Sequence, residues 1–269
     1  MMSQKRIAIM SNAGGTGKTT LAANLAYQLA RVGKRVCLIG CDPNGSLALF
    51  TGLEDPLDRK QTLDKVLDIE FDGKWPLFPV WRERIEGIDA CLGGLHLFET
   101  AKRIDQETRG AYLLADALED HPLAHDVVIL DCPGTIERYH EVALCACTHI
   151  LTIMQPEYKD VDAGFKLLNW IFEWRKRLRL KPSPEVVGVV PNGYDRQTAM
   201  HREIMGDDPE YSLPITLKKM GVHLFPAVKT SRHLANASAN GLPLGIWRSG
   251  EEINKIFFEI AQIVLKTEG

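Results

Sequence analysis

The sequence predicts an open, mostly parallel α/β sheet, twisted and flanked by helices, and three observations carry that expectation. Short apolar runs alternate with segments of helical periodicity along most of the chain. A glycine-rich loop, Ser11-Asn12-Ala13-Gly14-Gly15-Thr16-Gly17-Lys18-Thr19-Thr20, follows the first apolar run directly. Two further runs lead to an aspartate, Asp42 after the second and Asp131 after Asp126 to Leu130. Unbroken apolar strands are buried on both faces, and strand–helix alternation is how a parallel sheet obtains that cover.

Taken in order, Ile7 to Met10 reads as the first strand, and Leu21, Leu25, Ala26, Leu29 and Val32 recur at helical spacing after the loop. Gly33 ends that helix, and Arg35 to Ile39 forms a second strand running into Gly40-Cys41-Asp42-Pro43. Later strands are expected at Ile88 to Leu92, Asp126 to Leu130, His149 to Met154, Val186 to Val190 and His223 to Phe225. Residues 53–85 mix proline, charge and aromatics without a clear period, which fits a surface loop with a short helix or an insertion that meets a partner. We read residues 1–269 as one domain, since α/β folds often reach about 250 residues as a unit.

The net charge of −3 argues against wholesale coating of nucleic acid and confines any such contact to a local basic patch. Six cysteines, Cys37, Cys41, Cys91, Cys132, Cys145 and Cys147, lack CxxC spacing and sit mostly in apolar runs, so they read as reduced, buried thiols of a cytosolic protein. The N-terminal MMSQKR leads straight into a strand and no apolar run reaches about 18 residues, so neither a secretory signal nor a membrane span is expected.

The glycine-rich loop sits between a strand and a helix, as a phosphate cradle must. Gly14, Gly15 and Gly17 allow backbone N–H groups to turn inward around phosphate oxygens, together with Thr16 and Thr20. Lys18 is placed to reach the β and γ phosphates of a bound triphosphate, and Thr19 to ligate Mg²⁺. Asp131 lies at the carboxyl edge of its strand, where ligands bind in open α/β sheets, and reads as the Mg²⁺-side carboxylate acting through water. Cys132-Pro133-Gly134-Thr135 after it reads as a γ-phosphate switch. Asp42, on the turn-forming stretch Cys41-Asp42-Pro43-Asn44-Gly45-Ser46, is assigned to orienting the attacking water.

Four ordered stretches, SNAGGTGKTT, VCLIGCDPNGS, DVVILDCPGT and IMQPEY, resemble the ParA/MinD family of deviant Walker-box, P-loop ATPases over most of the chain. The resemblance implies slow, partner-stimulated ATP hydrolysis by an ATP-bound sandwich homodimer, with Asp42 matching the catalytic switch aspartate and Asp131 the second carboxylate. Two departures stand out. Gly40 occupies the place of an aspartate two residues before the catalytic one, and Ala13 that of the signature lysine that reaches across the dimer. Lys159, in MQPEYKD, is the candidate substitute. Loss of the signature lysine looks like the McdA branch, which distributes carboxysomes over the nucleoid with a small adaptor.

The same resemblance implies adenine recognition by Asn192, whose amide supplies both a donor and an acceptor. It also implies nonspecific DNA binding through Lys218, Lys219, Lys229 and Arg232, with Arg175, Lys176, Arg177 and Arg179 as a further basic cluster. Expected partners are a second copy on ATP binding, DNA, and an adaptor of McdB or ParB type, at the nucleoid in the cytoplasm. Plasmid or chromosome partition is the competing cargo, and a metabolic P-loop ligase or a nucleotide-dependent scaffold the competing classes. A membrane anchor is not expected: Ile253, Ile256, Phe257, Ile260, Ala261 and Val264 form an apolar stripe without a basic polar face, which reads as core packing.

Overall fold

The structure is a computed structural model that describes residues 4–56, 58–206 and 212–267. Its strands are β1 (Lys5–Met10), β2 (Val36–Gly40), β3 (Phe78–Pro79), β4 (Ile88–Cys91), β5 (Val127–Asp131), β6 (His149–Met154), β7 (Glu185–Tyr194) and β8 (Val228–Lys229). The helices are α1 (Lys18–Arg31), α2 (Ser46–Thr51), α3 (Leu63–Val66), α4 (Leu97–Gln106), α5 (Leu113–Asp120) and α6 (Arg138–Ala146). They continue with α7 (Tyr158–Arg177), α8 (Ala199–Ile204), α9 (Leu213–Met220), α10 (Arg232–Ala239), α11 (Leu244–Trp247) and α12 (Ile253–Lys266).

The strands form one sheet in the order β3-β4-β2-β5-β1-β6-β7-β8, parallel throughout except for the antiparallel edge pair β3–β4. Strand residues alternate between two cores, as a period of two requires. Ile7, Ile9, Val36, Leu38, Val127 and Ile129 meet α1 and α12 on one face. Ala8, Met10, Cys37, Ile39, Val128 and Leu130 meet α4, α5 and α6 on the other. The stripe on α12 is core, with Phe257, Ile260, Ala261 and Val264 buried beside Leu25 and Leu29 of α1. At about 2 kcal/mol for each large side chain fully removed from water, that face holds the helix down. Among the described residues no helix is long and apolar enough to cross a membrane.

β1 lies between β5 and β6, and there the crossovers reverse: the β1 to β2 connection steps over β5, whereas β5 to β6 steps over β1 on the other side. The carboxyl ends at such a point form the ligand crevice of an open α/β sheet.

One expectation needs correction. His223 to Phe225 is not a strand: Leu224 makes only an isolated parallel bridge to Val189, and Pro226, which has no N–H to donate, follows at once. Pairing resumes at Val228. The segment 53–85, Leu57 of which lies outside the described residues, carries the short helix expected there. It holds a 3₁₀ turn, α3 and the edge strand β3. It is pinned by the buried Asp64, which accepts from Arg59 Nε at 2.7 Å and Nη2 at 2.9 Å and from the Thr100 hydroxyl. Burial pushes up the thiols of the buried Cys37, Cys41, Cys91, Cys132 and Cys147; Cys145 is half-buried, and all six are free.

Candidate nucleotide-binding site

The loop after β1 carries the first elements of the site. Gly15 (φ 75°) and Gly17 (φ 97°) adopt left-handed backbone, which lets the chain turn back on itself before α1. A β-carbon on Gly14 or Gly15 would meet nothing within 4 Å, so both face open space, whereas one on Gly17 would run into the amide of Asn192. Lys18 is buried, and its Nζ donates to Ser11 Oγ at 2.8 Å and to the Ala13 carbonyl at 3.3 Å. Thr16 donates to the same Ser11 oxygen at 3.0 Å. Burial lowers the Lys18 pKa, and Asp131, Asp42 and Asp160 oppose that fall.

Asp131 stands level with Ile9 of β1 and Gly40 of β2. It is buried, and among the described residues neither carboxylate oxygen has a hydrogen-bond partner. Burial raises its pKa to about 7; Thr19 and Lys18, close by but outside hydrogen-bond geometry to it, pull it partly back. Asp42 is half-buried, and its Oδ1 accepts from Asn44 N and Asn44 Nδ2, both at 2.9 Å. That leaves Oδ2 for another donor. Lys18, Thr19, Asp42, Asn44 and Gly134 line one cleft of about 390 Å³. Among the described residues no group of three or more His, Cys, Asp or Glu forms a metal cage. One buried carboxylate with free oxygens beside a threonine is instead a donor set that suits Mg²⁺ arriving with a phosphate chain.

A second cavity of about 580 Å³ shares Gly15, Gly17, Thr20 and Phe50 with that cleft and is walled by Asn192, His201 and one face of α10. Asn192 donates its amide to Thr16 O at 2.7 Å, which ties β7 to the phosphate loop while the side chain faces this cavity. Lys229, expected at a DNA surface, lines the same cavity. Arg232 opens α10, and Lys218 and Lys219 are exposed on the last turn of α9.

Lys159 is exposed in the first turn of α7, without a hydrogen bond or ion pair among the described residues, so within one chain it does not join the phosphate cleft. Its helix touches the loop elsewhere, where Asn12 Nδ2 donates to Ala163 O at 3.5 Å. Four site features escaped the sequence reading. Asp160 is a buried acid whose pKa burial and Glu157 raise and Lys159 and Lys18 oppose. Ser11 is the rest for Lys18, Phe50 is the wall common to both cavities, and His140 backs the loop from α6. Only Ser11, one residue inside a recognised loop, carried a signal that could have found it. Gly40 has a structural reason: a β-carbon there would stand 3.0 Å from Gly93 N and 3.3 Å from Leu47 Cδ2.

A family profile described as an AAA domain matches residues 4–182. The chromosome partitioning protein ParA of Caulobacter vibrioides is 31% identical over 206 residues, which cover 75% of this chain and 74% of that protein. This chain belongs to the ParA/MinD family of ATPases. Another member, the sporulation initiation inhibitor Soj of Bacillus subtilis, is 26% identical over 264 residues, 97% of this chain and 98% of its own. Among solved structures, the ATP complex of an aspartate-to-alanine variant of Cyanothece McdA superposes with a TM-score of 0.83 over 100% of this chain and 99% of that one. At 18% identity that likeness speaks for the ParA/MinD fold alone. The expected open, mostly parallel sheet and the P-loop ATPase family are both found.

Proposed function

We propose that this ParA/MinD-family chain is a slow ATPase switch whose ATP-bound homodimer binds nonspecific DNA at the nucleoid and is released when an adaptor stimulates hydrolysis. The observation that carries the reading is the convergence of buried Lys18 and the half-free Asp42 on one cleft that shares a wall with a base-sized cavity, with the carboxylate of Asp131 buried within electrostatic reach of both. The glycine amides and Lys18 bind the triphosphate. Thr19 and, through water, Asp131 would hold Mg²⁺, which would supply charge compensation for the triphosphate. Asn192 and the α10 face take the adenine. Asp42 orients water for attack on the γ phosphorus; the bond from that phosphorus to the β–γ bridging oxygen breaks, and ADP and phosphate leave.

Dimerisation completes the site in this reading, with Lys159 contacting the partner's nucleotide in place of the lysine absent at 13. Exposed Lys218, Lys219 and Arg232, and the basic end of α7, supply phosphate contacts that carry no sequence information. The cargo we favour is carboxysomes, on the strength of Ala13, with an adaptor of McdB type. The 31% identity to a chromosome partitioning protein favours the second reading, partition with a ParB-type adaptor.

The test is co-sedimentation with random-sequence DNA under ATP, ADP and no nucleotide, beside phosphate release. Binding with ATP only, weakening steeply with salt, is the expected result. No DNA binding under any nucleotide would point to a metabolic P-loop enzyme, and DNA binding without phosphate release to a scaffold.

A further inference from the structure

The segment after Asp131 is stitched to the phosphate loop at three points. Gly134 lies against Gly14, Ile136 N donates to Asn12 Oδ1 at 3.3 Å, and His140 Nε2 lies 3.3 Å from the Ser11 carbonyl. The third contact is unusual in its surroundings. His140 is 0% exposed, its Nδ1 has no hydrogen-bond partner among the described residues, and its ring meets Trp170 of α7 edge-on at 6.2 Å. A buried polar atom without a partner costs about 1–3 kcal/mol, which a leucine at this position would avoid. What the imidazole adds is one bond, and a carbonyl can only accept it, so Nε2 carries the proton. Burial and the nearby Lys18 lower the ring's pKa to about 4 against the effect of the Ser11 bond, which keeps the ring neutral beside the ammonium.

Ser11 is the residue that receives Lys18. Its hydroxyl oxygen accepts from Lys18 Nζ at 2.8 Å and from Thr16 Oγ1 at 3.0 Å, and it donates to Ala13 O at 2.9 Å. We propose that His140 is a positioning residue for phosphate binding: by donating Nε2–H to the Ser11 carbonyl it holds Ser11, and through it the Lys18 ammonium, in register with the switch segment that begins at Asp131. The inference rests on the reading of the Ser11–Thr20 loop as a triphosphate cradle. It gives α6 a grip, through Ser11, on the group that binds the γ phosphate.

The experiment measures affinity for MANT-ATP and the rate of phosphate release in the parent and in His140→Phe, His140→Gln, His140→Asn and Lys18→Ala, with circular dichroism melts of each. His140→Phe fills the space without a donor and is expected to weaken MANT-ATP binding about tenfold, the equivalent of one net hydrogen bond. His140→Gln places an amide N–H at the reach of Nε2 and should return affinity to within about threefold of the parent; His140→Asn is too short and should behave like the phenylalanine variant. Rescue by glutamine but not asparagine is a pattern that loss of packing alone would not produce. A folded His140→Phe with parental affinity overturns the proposal, and so does equal affinity of the asparagine and glutamine variants if the phenylalanine variant does not fold. A parent that binds no MANT-ATP removes the nucleotide reading and this inference with it. Parental binding abolished by Lys18→Ala but kept by His140→Phe removes the inference alone.

Discussion

A β-carbon on Gly134 would stand 3.1 Å from Cα of Gly14, so the turn after β5 and the phosphate loop meet backbone to backbone. Gly134→Ala must push the two apart by a few tenths of an ångström. We expect a loss of about 1 kcal/mol of stability, by the usual penalty of overpacking, together with slower phosphate release. Thermal melts and a phosphate-release assay check both, and a variant equal to the parent in each would mean that the two loops part freely.

Asp131 sets a pH dependence whose sign follows from its burial. Folding raises its pKa to about 7, against a normal value near 4, so across that window the folded chain holds a proton that the unfolded chain has released. Stability from this group therefore falls as pH rises from about 4 to about 7 and is level above, a penalty on the order of 4 kcal/mol. Asp131→Asn should remove it: in metal-free buffer the variant should melt above the parent at pH 8 and close to it at pH 4. Denaturation midpoints across that range decide, and a parental gap at every pH would refute the assignment.

Lys18 and Asp42 should separate binding from chemistry. Lys18→Ala removes a buried cation from the phosphate cleft and should raise the Kd for ATP by about 100-fold, the scale of charge-assisted bonds. Asp42→Ala touches neither the loop nor its glycines, so ATP affinity should stay within about threefold while phosphate release falls by about 100-fold or more. Equal losses of affinity in the two variants would take the water-orienting role away from Asp42.

Lys159 is exposed and makes no hydrogen bond or ion pair among the described residues, so its contribution should be visible only between chains. Lys159→Ala should leave the melting temperature and the ATP affinity of dilute protein unchanged and abolish the ATP-dependent dimer seen by light scattering. An undiminished dimer would mean that no lysine at this position stands in for the one missing at 13.

Lys229 tests the division of labour between the base cavity and DNA. Because it lines that cavity, Lys229→Ala should weaken ATP binding. Lys218→Ala with Lys219→Ala should instead leave ATP affinity alone and make DNA binding less salt-dependent, by about one unit of slope for each DNA phosphate that a lysine no longer neutralises. Filter binding at several salt concentrations distinguishes the two.

Much of the architecture was legible residue by residue. The strands at Ile7, Arg35, Ile88, Asp126, His149 and Val186 all form within a few residues of where the apolar runs place them, because a strand buried on both faces has to be apolar along its length. The loop from Gly14 to Thr20 was legible for a related reason: a phosphate cradle restricts which residue types can stand between a strand and a helix, and that restriction is local. Segment 53–85 was not, since it is held by the long-range contact of Asp64 with Thr100 rather than by a period of its own. Nor was the strand at His223, which Pro226 cuts to a single bridge.

The sequence thus determined most of the elements, the sheet class and the glycine-rich loop between β1 and α1, because each depends on neighbours in the chain. Folding alone brought Asn192 against Thr16, Lys229 into the cavity beside Asn192, Asp160 within electrostatic reach of Lys18, and His140 behind Ser11. Those pairings join residues far apart along the chain, and their strength comes from burial, which removes water from both partners and which no local pattern records.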